Sequence, residues 1–483
     1  MLFNSHVFIF GFLPIVFIVY FIFRKIDLVA GAKIWLVFSS LFFYSWWNPV
    51  YLPILLGSII TNFLFGKTIE KVSYKKIILT IGIIFNVALL GYFKYVDFFI
   101  ANVNMIFETN FSLLHVALPL AISFFTFQQI AYLVDTYKGE AKKYSFLNYA
   151  LFVTFFPQLI AGPIVHHKEM MPQFETLSAR FVRAKNVVLG SFIFFIGLFK
   201  KTVIADTFAI YASDGFGRPE TLTLIEGWIV SLSYSFQIYF DFSAYSDMAI
   251  GLALLFNIKL PINFNSPYKA LNIQDFWRRW HMTLGRFLTK YIYIPLGGNR
   301  ISESRTLFNI MIVFGISGFW HGAGWTFVVW GLLHGVASVI HRLWRKLAID
   351  MPKWLAWFIT FQFVNVAWVF FRAESFQDAL HVLKAMVGLQ GISIPPYLES
   401  LFQQIQVIPY EVTERFFVGD LYEFHKIIVL LIVFLFISVF AKNSIERLQS
   451  FRPNWKTALF IGFVTVVSIL HLTRVSEFIY FNF

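Results

Sequence analysis

Two histidines, His281 and His321, lie 40 residues apart, each in a run rich in tryptophan and glycine. His321 belongs to GFWHGAGWTFVVWGLLHG, residues 318–335, which holds three tryptophans, five glycines and no Cys, Lys, Arg, Asp or Glu. Burial in such a run favours the neutral imidazole, which can accept a proton as a general base must. Gly318, Gly322 and Gly324 weaken a helix here, and Trp320 and Trp325 bracket the histidine with bulky amphipathic rings. Glycines beside a polar group predict a cavity that another molecule enters. The competing reading is a histidine satisfied in a packed core. His334, 13 residues further on, is read as bonding to another helix.

His281 sits in FWRRWHMTLGRFLTKYIYIPLGGNR, residues 276–300. Trp277, Trp280, Phe287, Tyr291 and Tyr293 suit a membrane interface, while Arg278, Arg279, Arg286 and Lys290 can face headgroups or an anionic ligand. Two readings stay open. One is an amphipathic interfacial helix with snorkelling arginines. The other is a basic vestibule for a phosphorylated donor, since arginine grips phosphate with two hydrogen bonds. In the second, Gly297 and Gly298, followed by Asn299 and Arg300, let backbone approach the ligand.

A third cluster is YFDFSAYSDMAIG, residues 239–251. Asp241 and Tyr245 are four apart and share a helix face, and Asp247 is offset from it. A carboxylate in an apolar run must be paired or protonated. It is either a structural group bonded to a neighbouring helix or an arginine, or a group that orients a catalytic residue.

The elements that position these groups are membrane helices. Of 483 residues, 58% are hydrophobic, only 13% are charged and 63 are Phe. The mean hydropathy is +0.69. A soluble domain could not cover so much apolar surface with so few charges. Apolar runs near the ~20 residues that cross a bilayer recur at 5–23, 34–47, 50–66, 77–93, 113–134, 186–205, 224–245, 307–320, 325–341, 354–371, 426–441 and 457–473. Residues 146–164 are apolar but end in Pro and Gly, which suits a re-entrant element. The expected fold is all-α: a polytopic membrane protein in one domain over residues 1–483, with 268–345 carrying both histidine motifs.

The net charge of +13 does not indicate nucleic acid, because the basic residues fall in short loops between apolar runs. KTIEKVSYKK (67–76), KGEAKK (138–143), 342–353 and 442–456 are basic. Residues 94–112 carry one Lys, at their start, and 372–425 carry three Lys/Arg against seven Asp/Glu. With basic loops cytoplasmic, both termini are periplasmic and 307–320 and 325–341 form a hairpin whose tip holds His321. The segment 389–425 is then a possible small periplasmic element. Residues 5–23 read as a first span and not as a cleavable signal.

Several chemistries are excluded or disfavoured. Without cysteine there is no disulfide, thiolate metal site or cysteine nucleophile. Any acyl-enzyme must use Ser, Thr, His or another group. GKT at 66–68 lacks the P-loop glycine, since residue 61 is Thr. No GxSxG elbow occurs, and adjacent His166 and His167 lack the zincin spacing, so no metal site is expected. The paired broken helices of a secondary transporter are not evident.

FWRRWHMTLGRFLTKYIYIPLGGNR and GFWHGAGWTFVVWGLLHG, with AGPIV (161–165), YFDFSAYSDMAIG and the tail FIYFNF, resemble the membrane-bound O-acyltransferase family. Within it they resemble the bacterial alginate and peptidoglycan O-acetyltransferases. The resemblance covers nearly the whole chain. It implies a ring of about 11–13 tilted transmembrane helices, with re-entrant and interfacial helices, around a central tunnel. It implies His321 as the catalytic base and His281 as the second signature residue. It implies acetyl-CoA as a cytosolic donor substrate with no permanently bound cofactor, and an exported polysaccharide as acceptor. It also implies a periplasmic SGNH-type, esterase-like partner and a place in the bacterial inner membrane. Two alternatives remain at this stage: D-alanyl transfer from a carrier protein, and a transporter or flippase using intramembrane His and Asp.

Overall fold

Side-chain caps mark where many of the helices begin. Ser302 accepts from the Arg305 amide, Asp420 from that of Glu423 and Asn454 from that of Thr457. Thr223 and Glu226 form a reciprocal capping box. The computed structural model describes residues 1–141, 144–176, 181–405, 409–473 and 478–479. Lys142 and Lys143 of the basic loop and tail residues 480–483 lie outside the described residues.

Among the described residues, eight helices are long and apolar enough to cross a membrane: Val7–Lys25, Pro49–Lys71, Lys75–Phe107, Ala184–Phe216, Leu224–Leu255, Trp325–Trp344, Lys353–Arg372 and Leu421–Phe440. Val29–Ser45 and Trp455–Leu470 are shorter apolar helices. Ile122–Tyr137 and Glu303–His321 fall at the remaining two expected spans. Phe10, Ile18, Phe38, Phe436 and Phe463 point outward and are mostly exposed, a surface that lipid covers. The chain is an all-α, multi-pass membrane protein. Leu224–Leu255 is buried nearly throughout and packs along Ala184–Phe216, at the centre of the bundle.

The boundaries differ from expectation in ways that matter. The expected loop 94–112 is largely helical, because Lys75–Phe107 runs on past Lys94. The expected span 113–134 starts only at Ile122. The span expected over 186–205 continues to Phe216, and that over 224–245 to Leu255, so Asp247 lies well inside a helix. In 146–164, a helix over Phe146–Thr154 is interrupted at Phe155 and followed by the short helix Phe156–Leu159, and from Asn148 to Leu159 it is enclosed by protein. Residues 276–300 are not one interfacial helix. They form two short helices, Ile273–Arg279 and Met282–Leu288, joined at Trp280–His281, and both joint side chains point inward.

Four π-turns occur among the described residues, over Val7–Phe12, Gly91–Tyr95, Lys200–Ala205 and Thr289–Tyr293. A π-turn adds a residue to a helix and rotates the turns beyond it, often at functional sites. The last three carry Lys94, Lys200 with Lys201, and Lys290.

The lysines of Lys200–Ala205 meet the carboxylates of Leu224–Leu255. Lys201 Nζ lies 2.7 Å from Asp241 Oδ1 and 2.9 Å from Asp206 Oδ1, and Lys200 Nζ lies 2.9 Å from Asp247 Oδ2. The Ile479 amide also donates to Asp241, at 2.9 Å. Tyr245 packs between the rings of Phe3 and Phe478. The carboxylates thus pin one helix to its neighbour through lysine, the bond to a neighbouring helix being one of the two structural partners that the sequence offered. Within 389–425, Ser393–Ile394 pairs in parallel with Glu411–Val412, and Arg415–Phe416 pairs antiparallel with Gly419–Asp420.

Candidate active site

Glu303–His321 and Trp325–Trp344 form a hairpin whose arms touch backbone to backbone. A Cβ on Gly318 would collide with the Phe327 carbonyl oxygen, and one on Gly331 with that of Phe314. These glycines serve close helix packing, not an opening for a ligand. His321 is the last residue of its helix, before extended Gly322. Its side chain is buried against Trp320, Trp330 and Phe371, with ring centroids 4.9, 5.0 and 5.4 Å away. Trp325 does not bracket it. That ring points outward, and its indole donates to Asn102.

His281 is fully buried at the joint of its two helices, in the left-handed conformation with φ 42°. Its ring lies 6.4 Å from that of His321 and packs edge-on against Phe242 of the central helix. Hydrogen bonds fix which nitrogen of each ring carries the proton. His321 Nδ1 lies 2.6 Å from the Ser317 carbonyl, an acceptor only, so Nδ1 is protonated and Nε2 carries the lone pair. Asn263 Oδ1 accepts from the Thr283 amide at 3.2 Å and from its hydroxyl at 2.9 Å, so His281 Nδ1, 3.2 Å away, also donates. Both rings therefore present Nε2 as a proton acceptor. His334 is the opposite case: the Trp277 indole donates to its Nδ1 at 3.2 Å, leaving the proton on Nε2. Asn263 is thus the anchor of the His281 joint. Asn263→Ala strands three buried donors, each costing about 1–3 kcal/mol, and should lower the unfolding temperature in detergent. An unchanged temperature would remove that anchor.

A cavity of about 910 Å³ opens beside this hairpin. Its wall includes Trp277, Arg278, Arg286 and Lys290 from the first motif, and Ser317 one turn from His321. The end of Trp325–Trp344 and the turn after it add His341, Arg342, Arg345 and Lys346. The sequence offered these only as loop charges that orient the chain. Arg279 and Trp280 lie off the wall: Arg279 is tied to Asp275 and to the Asn265 carbonyl, and Trp280 is buried against Trp368. Gly297 and Gly298 adopt positive φ in the turn before Glu303–His321, and with Asn299 and Arg300 they too lie off the wall. Arg286 pairs with Glu169, and Arg342 and Lys346 pair with Glu303. Arg278 and Arg345 line the same wall, and among the described residues neither has a carboxylate partner.

Behind Lys290 stands a cluster that the sequence hid. Buried Asp135 accepts from His166 at 2.6 Å, His167 at 2.8 Å, Tyr291 at 2.8 Å and Lys290 at 2.9 Å. Asp135, His166 and His167 could offer metal ligands, but these separations are those of hydrogen bonds, and the ammonium already supplies the cation. Lys168 and Lys290 also hold Glu140 below the usual carboxylate range. The cluster fixes Lys290 at the rim of the cavity.

Two buried imidazoles sit together in a helical membrane bundle, one of them a turn beyond the wall of a basic cavity. The comparisons give the class of enzyme. Residues 136–376 match the model of the membrane-bound O-acyltransferase family. The chain is 50% identical to a peptidoglycan O-acetyltransferase of Helicobacter pylori, over 100% of this chain and 98% of that protein. It is 37% identical to "Probable alginate O-acetylase AlgI" of Pseudomonas aeruginosa, over 80% of this chain and 75% of that one. It is 28% identical to a teichoic acid D-alanyltransferase of Streptococcus thermophilus, over 52% and 68%. The chain belongs to the membrane-bound O-acyltransferase family and is an O-acyltransferase.

Proposed function

We propose that this chain moves an acetyl group from cytosolic acetyl-CoA across the bacterial inner membrane, for O-acetylation of an exported polysaccharide of the peptidoglycan or alginate type. A periplasmic SGNH-type partner completes the transfer to sugar hydroxyls. In this reading residues 268–345 are the catalytic core of a single domain. The basic loops and the cavity mouth face the cytosol, and both termini and the 389–425 element face the periplasm. The observation that carries it is the cavity, whose wall holds Arg278, Arg286, Lys290, Arg342, Arg345 and Lys346 together with Ser317, the hydrogen-bond partner of His321. The phosphates of CoA are too costly to bury in a bilayer, whereas an acetyl group is small and neutral. The passage from Ser317 past His321 to the far face is part of the proposal.

In the chemical step His321 Nε2 takes the proton of an acceptor hydroxyl, whose oxygen attacks the thioester carbonyl. The C–S bond then breaks, and the imidazolium returns its proton to the departing thiolate. His281, with Nδ1 committed to Asn263, presents an Nε2 that accepts and cannot donate to an oxyanion; its ring lines the site beside His321. Two observations favour this over the alternatives. Similarity to acetyltransferases runs over more of the chain, at higher identity, than similarity to the D-alanyltransferase. Asp241 and Asp247 are held by lysines, which leaves no chain of free carboxylates for a transporter's proton relay. Offering purified protein labelled acetyl-CoA or a D-alanyl carrier-protein thioester decides the donor: acetyl-CoA alone should be consumed, and use of the carrier would replace this reading.

The two unpaired arginines give a sharper test. Each charge-assisted contact contributes about 1.5–3 kcal/mol. Arg278→Ala and Arg345→Ala should therefore each raise the donor KM roughly 10–100-fold with kcat nearly kept, and the effect should shrink in high salt. An unchanged KM would make these arginines membrane anchors.

A further inference from the structure

The π-turn Gly91–Tyr95 brings two side chains to the end of the Glu303–His321 helix. Tyr95 Oη donates to the Phe319 carbonyl at 2.8 Å. Lys94 Nζ lies 2.6 Å from the Trp320 carbonyl, 3.1 Å from that of His321 and 3.4 Å from Ser123 Oγ. The last carbonyls of a helix have no helical partner and carry its negative pole, so an ammonium there is well placed. An ammonium has three protons, and Lys94 has three acceptors, which leaves none for a ligand. Lys94 therefore differs from the cavity cations, which face open space. It is also an ionisable group within a membrane helix, where such a group is costly and kept for a purpose. Without the extra residue of the π-turn, Lys94 would point about 100° away around its helix.

We propose that Lys94 is a positioning residue for His321: its ammonium clamps the Trp320 and His321 carbonyls and so sets the direction of the imidazole. This rests on His321 being the base. The clamp acts on the backbone of the reacting residue itself, while the Ser317 carbonyl holds the ring from the other side. The donor site lies elsewhere, on the cavity wall, which Lys94 does not line.

The test compares purified wild type, Lys94→Met, Lys94→Gln, Lys94→Arg and Tyr95→Phe for release of CoA from acetyl-CoA in the presence of the SGNH-type partner and a glycan acceptor, with kcat and donor KM measured separately. A small misplacement of a catalytic group lowers rate without weakening binding, so Lys94→Met should lower kcat roughly 10–100-fold at unchanged KM. Lys94→Gln should fall similarly, and Lys94→Arg, which keeps the charge, should recover most of the rate. Tyr95→Phe removes a neutral bond to the same helix end and should lower kcat far less than Lys94→Met. A Met variant at wild-type kcat would overturn the proposal, as would a folded Arg variant no better than Met. Loss of folded protein in both Met and Gln variants would assign Lys94 to folding and also overturn it. If wild type itself releases no CoA, the functional reading fails instead. If His321→Ala is inactive while Lys94→Met is normal, only this inference fails.

Discussion

His321→Ala is expected to yield folded, membrane-inserted protein at wild-type levels with acyl transfer nearly abolished. General-base help of this kind is worth ~10²–10⁴ in rate, about 3–5 kcal/mol. The structure gives the reason. The imidazole ends its helix with Nδ1 locked on the Ser317 carbonyl, so only Nε2 can take a proton. Alanine keeps the helix and the glycine contact with the neighbouring arm but leaves no proton acceptor at that point. His281→Ala should lower kcat by as much or less, because its ring lines the site beside the base and does not take the proton. A folded His321→Ala variant within tenfold of wild type would move the base elsewhere.

The second large effect is on stability. Lys201→Met leaves Asp206 and Asp241 facing each other in the bundle centre without their cation. Removing one partner of a buried ionic group costs about 3–5 kcal/mol. The variant should show a much lower unfolding temperature or fail to survive extraction as a single species. Replacing all three groups together by apolar residues should recover much of the loss, because an apolar core needs no compensating charge. Wild-type stability for Lys201→Met alone would show that the lysine contributes little to holding these helices.

Much of this architecture is legible in the chain. Each of the twelve expected spans has a helix, since bilayer-length apolar runs leave the backbone few other solutions. The hairpin at His321 is legible from the basic segments on either side of it. The lysines are not. In the sequence Lys94 reads as the start of a loop, and Lys200 and Lys201 as the end of a span, because hydropathy counts a lysine as a boundary and cannot foresee a π-turn that carries it inward. The glycines of 318–335 suggest room for a ligand, yet Gly318 and Gly331 make room for each other. Asn263 lies 18 residues before His281 and has no motif to announce it; only the left-handed joint shows what it holds. The spacing of His166 and His167 speaks against a metal site, and their meeting with Asp135 depends on a long-range contact that no local pattern encodes.

The most direct test of the central claim is the stoichiometry of one reaction: purified protein with its SGNH-type partner, acetyl-CoA labelled in the acetyl group and peptidoglycan fragments as acceptor, with free thiol and labelled glycan counted together. Release of one CoA per acetyl ester formed, present in wild type and absent in His321→Ala, is the predicted result. Labelled glycan without thiol release, or equal release by the two proteins, would contradict it.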